Sequence, residues 1–146
     1  MLDLGTREDY HAKIGHWVFW EEDCPLCDRK NNKARIIWEG KHWYVIHNKY
    51  PYSGNEKHLM AVPYKHVKYS RELNGEEFSE LEEVQKFMKD FYGDEQYFSA
   101  TRESMGNRSI EHVHMHFVPW KLQWKFLRCM LENQGFPIKA EVEIKK

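Results

Sequence analysis

Over residues 74–92 the apolar positions Phe78, Leu81, Val84, Phe87, Met88 and Phe91 recur mostly at three- and four-residue steps, which predicts a helix with one buried face. Its ends carry matching signals. Asn74 can cap with Glu77 three positions on, acids cluster early, Lys86 and Lys89 fall late, and Gly93 follows the last apolar residues. Before this helix the pattern shortens to β-type runs. Ile36-Ile37-Trp38 and residues 42–46 flank Glu39-Gly40-Lys41 as a hairpin, and residues 59–62 form a strand that Pro63 ends. Between them Pro51, Gly54 and Asn55 mark a loop over 48–57. After the helix, residues 96–101 and 112–118 read as strands around a polar loop over 102–111. A shorter helix is predicted over 123–133, stopped by Gly135 and Pro137. The polar stretch 21–35 reads as a loop or knuckle. The sum is an α+β chain, mainly antiparallel.

A length of 146 residues supports one core, so residues 1–146 are expected to form a single domain. Trp, Tyr and Phe make up 15% of the chain, enough buried area to exclude a disordered polymer. With 22 basic against 23 acidic residues there is no global attraction to nucleic acid or an anionic membrane, so any phosphate recognition must be local. No export signal and no run of about 18 apolar residues is visible, which makes the cytoplasm the expected compartment. In a reducing compartment Cys24-Pro25-Leu26-Cys27 reads as a metal or redox pair rather than a disulfide framework, and Cys129 as core.

The segment His112-Val113-His114-Met115-His116-Phe117-Val118 carries the most chemistry. As a strand it puts three imidazoles on one side, roughly 6.5 to 7 Å apart, with Val113, Met115 and Phe117 on the other. Such a row could face solvent, present a nucleophile, or converge on a metal; the spacing leaves all three open. The preceding Ser104, Gly106, Asn107, Arg108 and Ser109 are mostly small polar groups suited to close backbone approach to an anion, or to an ordinary connection.

The row resembles the His-φ-His-φ-His-φ-φ signature of the histidine triad superfamily. Asn48-Lys49-Tyr50-Pro51, followed by His58-Leu59-Met60-Ala61-Val62-Pro63-Tyr64-Lys65-His66, is similar to that family's nucleotide-binding loop and the strand after it. The resemblance spans about residues 24–119, leaving extensions on both sides. It implies an antiparallel sheet of about five strands with one long and one short helix. It also implies an enzyme that cleaves or transfers nucleotides through a covalent histidine adduct, working on a nucleotide substrate and commonly as a homodimer.

By the same resemblance His114 is the nucleophile, His116 orients phosphoryl oxygens, and the Ser109 hydroxyl stabilises developing charge. Asn48 would contact the ribose and Leu59 and Ile46 would line the base pocket. Asn107 and Arg108 would lie along the phosphates. Zinc-bearing branches pair two cysteines with two histidines, which here implies one structural zinc per chain on Cys24, Cys27, His66 and His112. The chain departs from the family in having Thr101 where an amide is common and Asn107-Arg108 where Gly-Gln is common. His116 instead of glutamine puts hydrolysis of a phosphoramidate or dinucleoside polyphosphate ahead of transfer to another acceptor. A catalytic metal held by His112, His114 and His116, and a nucleotide-binding module with vestigial activity, are the competing readings.

Overall fold

The computed structural model describes residues 2–13, 23–104 and 110–119, together with Arg128, Leu131 and Glu132. In chain order these form helix α1 (Arg7–Lys13), the one-turn helix α2 (Arg29–Asn32), strands β1 (Ile36–Glu39), β2 (Trp43–His47) and β3 (Leu59–Pro63), helix α3 (Gly75–Tyr92), and strands β4 (Tyr97–Thr101) and β5 (Met115–Pro119). The strands make one antiparallel sheet in the order β1-β2-β3-β5-β4. This is the expected α+β architecture, a five-stranded sheet with one long helix. The two short helices α1 and α2 were not expected: 21–35 reads in sequence as loop, and no element is predicted over 7–13. The three C-terminal residues described are helical; the rest of the helix expected over 123–133, and Cys129, lie outside the described residues.

Alternation along β2, β3 and β5 sorts the side chains onto two faces. Trp43, Val45, Leu59, Ala61 and Phe117 pack with Val84, Met88 and Tyr92 of α3. Tyr44, Ile46, Met60 and Val62 pack on the other face with Cys24 and Leu26. Helix α3 is fixed at its start by a reciprocal cap: Glu77 N–H donates to Asn74 Oδ1 at 2.9 Å and Asn74 N–H donates to Glu77 Oε2 at 2.6 Å. It stops at Gly93, whose φ of 61° suits the left-handed turn there. The buried stripe is narrower than the apolar one. Val84, Met88 and Tyr92 are covered, whereas Phe78 and Phe91 are 44% and 36% exposed, correcting their expected place on the buried face.

Strand β5 is shorter at its start than the sequence predicts, and this shapes the site. Its ladder with β3 runs from Leu59↔Phe117 through Ala61↔Met115 and ends there. Pro63, two residues on, has no N–H with which to extend it. Residues 112–114 peel away: Val113 N–H donates to Val67 O at 2.7 Å, and the His112 ring takes Pro63 O.

Candidate active site and metal centre

All the histidines of the row occur on the face away from α3, but they do different things. His112 is fully buried, and its Nε2–H donates to Pro63 O at 2.8 Å. A carbonyl can only accept, so the proton is on Nε2 and Nδ1 is left with a free lone pair. That lone pair lies 3.5 Å from both Cys24 Sγ and Cys27 Sγ, while His66 Nδ1 lies 3.2 Å from Cys27 Sγ. All four donor atoms fall within 4.8 Å of one another. Tetrahedral zinc with two thiolates and two imidazoles would separate sulfur from nitrogen by roughly 3.6 Å. The donor set therefore fits a metal, with the Pro63 carbonyl already orienting the His112 ring.

The knuckle that supplies the thiols is pinned to the sheet. Cys27 N–H donates to Cys24 O at 3.1 Å, Asn32 Nδ2–H donates to Pro25 O at 2.5 Å, and Tyr44 O–H donates to Leu26 O at 2.5 Å. Burial pushes the Cys24 thiol up to about 12 and holds the His112 imidazole down at about 4. A cation at this point would reverse the first effect by favouring the thiolate.

His114 is held in the opposite sense. Its Nδ1–H donates to the His112 carbonyl at 2.7 Å, which leaves Nε2 as the unprotonated nitrogen, and the ring is half-buried. His116 is ordered by a chain of donors that starts in the backbone. Tyr52 N–H donates to His58 Nδ1 at 3.0 Å, so the His58 proton sits on Nε2; that N–H donates to His116 Nδ1 at 2.8 Å, and His116 therefore carries its own proton on Nε2. Burial lowers His58 to about 3 and, together with the neighbouring His114 and His58, takes His116 well below its ordinary value, so both stay neutral as the chain of donors requires. The His114 and His116 rings meet edge to face with centres 4.8 Å apart. An unprotonated ring nitrogen and a ring N–H donor thus belong to adjacent rings. The four-donor cluster includes His112 and neither of these two.

Of the other expected site residues, Asn48 is brought to this face. Its Oδ1 accepts from Tyr50 N–H at 2.8 Å, an Asx turn, and its amide nitrogen approaches Met60 Sδ at 3.5 Å and the His58 ring at 3.4 Å. Leu59 is not brought there. It is fully buried on the α3 side, so its expected place in a base pocket is corrected: strand parity gives that face to Met60. Ile46 is on the histidine side but completely covered. Asn107, Arg108 and Ser109 lie outside the described residues. Sequence reasoning gave His58 and Tyr52 no role, although Tyr52 stacks 5.5 Å from His116 and 4.6 Å from His58. An imidazole at the head of the strand that pairs with the histidine row was the available signal.

Comparison with known proteins agrees with this fold. The family described as "Scavenger mRNA decapping enzyme C-term binding" matches residues 23–130. An uncharacterised HIT-like protein of Chlamydia muridarum is 26% identical over 87 residues, covering 56% of this chain and 68% of its own. A zinc-bound histidine triad family protein from Mycobacterium smegmatis has the same fold at a TM-score of 0.56 and 17% identity, over 78% of this chain and 96% of that one. The diadenosine triphosphate hydrolase of Plasmodium falciparum does so at 0.52 and 18%, over 70% and 76%.

Proposed function

The chain belongs to the family described as "Scavenger mRNA decapping enzyme C-term binding" and to the histidine triad superfamily, and on that premise we propose that it is a nucleotide hydrolase working through a nucleotidyl-His114 intermediate. What carries this reading is the tautomer of His114, whose proton is placed on Nδ1 by the bond to the His112 carbonyl so that Nε2 is the unprotonated, nucleophilic nitrogen. Its lone pair attacks the α-phosphorus of a phosphoramidate or dinucleoside polyphosphate. The bond from phosphorus to the leaving group breaks with its electron pair, and a nitrogen–phosphorus bond takes its place. Water then attacks phosphorus and gives up a proton to solvent while the pair of the breaking nitrogen–phosphorus bond returns to Nε2, releasing a nucleoside monophosphate.

The Nε2–H of His116 is suited to donate to a phosphoryl oxygen as charge builds, a role shared in this proposal with the Ser109 hydroxyl. Asn48 would meet the ribose, and Asn107 and Arg108 the phosphates. Cys24, Cys27, His66 and His112 would hold one zinc, which supplies structural cross-linking between the knuckle and β5 and leaves no open position for substrate. The half-exposed Phe78 and Phe91 on α3 support a homodimer through that helix.

The test is turnover of adenosine phosphoramidates and diadenosine polyphosphates by the wild-type chain and by His114→Asn. The expected loss is at least ~10³-fold in kcat with zinc content unchanged. Full turnover in His114→Asn would contradict the nucleophile.

A further inference from the structure

The segment before the matched residues 23–130 docks on the loop beside the histidines. Gly5 N–H donates to Lys49 O at 2.8 Å, and a Cβ at Gly5 would stand 2.5 Å from Cε1 of Tyr50. Tyr50 is buried and packed edge-on against Tyr10 at 5.6 Å, so it has little room to give way. The start of α1 is locked by Thr6 and Asp9, each accepting the other's backbone N–H, at 3.1 and 2.9 Å. Together these contacts aim Arg7. Its Nη1–H donates to Tyr50 O at 3.2 Å, and Cζ lies 4.2 Å from the ring centre of Tyr10 and 4.6 Å from that of Tyr52.

Tyr52 is the ring that stacks on His58 and His116, so the guanidinium is one ring removed from the nucleophile's partner. Among the described residues no carboxylate pairs with Arg7. Among the described residues one of its five N–H donors is used, by Tyr50 O, and a guanidinium held over two aromatic rings with its other donors available there is preorganised for phosphate oxygens. Its charge also reaches the imidazoles, adding to the burial that keeps His58 and His116 neutral.

We propose that Arg7 is a specificity-determining residue that favours substrates whose leaving portion carries further phosphates over substrates that release an uncharged amine. This rests on the nucleotidyl-transfer reading above. When the bond from the α-phosphorus to a bridging oxygen breaks, that oxygen keeps the electron pair and the leaving phosphate gains negative charge, which Arg7 offsets. When the broken bond is to nitrogen, the amine takes up a proton and departs without that charge, so Arg7 has less to stabilise.

Two variants of the full chain test it. Arg7→Gln retains an N–H for Tyr50 O and removes the charge; Gly5→Val forces the segment off Tyr50. Both should lower kcat/KM for diadenosine tetraphosphate at least ~10-fold more than for an adenosine phosphoramidate. Equal losses on the two substrates, or none, would overturn the proposal. A binding arm works without turnover: in a His114→Asn background, calorimetry should show Arg7→Gln raising the Kd of ATP ~10-fold and that of AMP no more than ~2-fold. Equal weakening of both, or a parent that binds ATP no tighter than AMP, would also overturn it. Failure of the wild-type chain to turn over either substrate would instead remove the nucleotidyl-transfer reading, and the binding arm would still decide Arg7.

Discussion

His112 and His114 are two residues apart, lie on the same side of the chain, and are both tied to a backbone carbonyl, yet the ties are made through opposite ring nitrogens. In His112 the carbonyl holds Nε2–H, so the lone pair is on Nδ1, close to the ring's own backbone, beside the buried Cys24, the exposed Cys27 and the half-buried His66. In His114 the carbonyl holds Nδ1–H, so the unprotonated nitrogen is Nε2, at the far tip of a half-buried ring. One geometry suits a ligand in a closed site and the other a nucleophile reaching a substrate. The comparison teaches that residue type and spacing set the menu, and that the nitrogen claimed by a carbonyl selects from it.

If the two histidines are separable in this way, removing the metal cluster should strike stability first. Cys24→Ser is expected to abolish zinc retention, read by elemental analysis, and to lower Tm by at least ~10 °C, since ~3 kcal/mol shifts a chain of this size by about that much. A Cys24→Ser protein as stable as wild type, or wild type purified without metal and equally stable, would break the comparison on its structural side.

A smaller effect sharpens the catalytic side. Burial holds His58 at about 3 and His116 well below the usual imidazole value, so the unfolded chain binds more protons than the folded one as pH falls below ~6.5. The stabilisation from these neutral rings is complete above that pH and is lost on acidification toward pH 3. Urea unfolding from pH 7.5 to 5.5 should show stability falling with pH, and His58→Gln should flatten the slope. An equally steep slope in that variant would show that His58 is not what titrates.

The sequence exposed most of the frame and only part of the site. The capping pair Asn74 and Glu77 and the hairpin around Gly40 are local signals, and the structure has them. The set Cys24, Cys27, His66 and His112 was named through family resemblance, and the four donors do converge. What escaped was decided by non-local contacts. Alternation fixes which residues of β3 share a face but not which face α3 covers, so the sequence could not show that Leu59 packs against α3. Nor could it show that β5 would release His112 and Val113 to Pro63 and Val67, or that Arg7, remote in sequence, would reach Tyr52.

The least perturbing prediction is a control on the opposite face. Asn74→Ala removes the cap of α3 and should cost ~1 kcal/mol, about 3 °C in Tm, while zinc stoichiometry and kcat stay at wild-type values. A change in kcat would mean that the helix face and the histidine face are coupled.

The most direct measurement is mass spectrometry of the tryptic peptide that carries His114, after rapid mixing of the chain with an adenosine phosphoramidate or diadenosine polyphosphate and quenching. The account predicts a mass increase of one adenylyl group, located on His114 by fragmentation and absent from His114→Asn. Turnover with no adduct on that peptide, or an adduct on His116 or another residue, would contradict it.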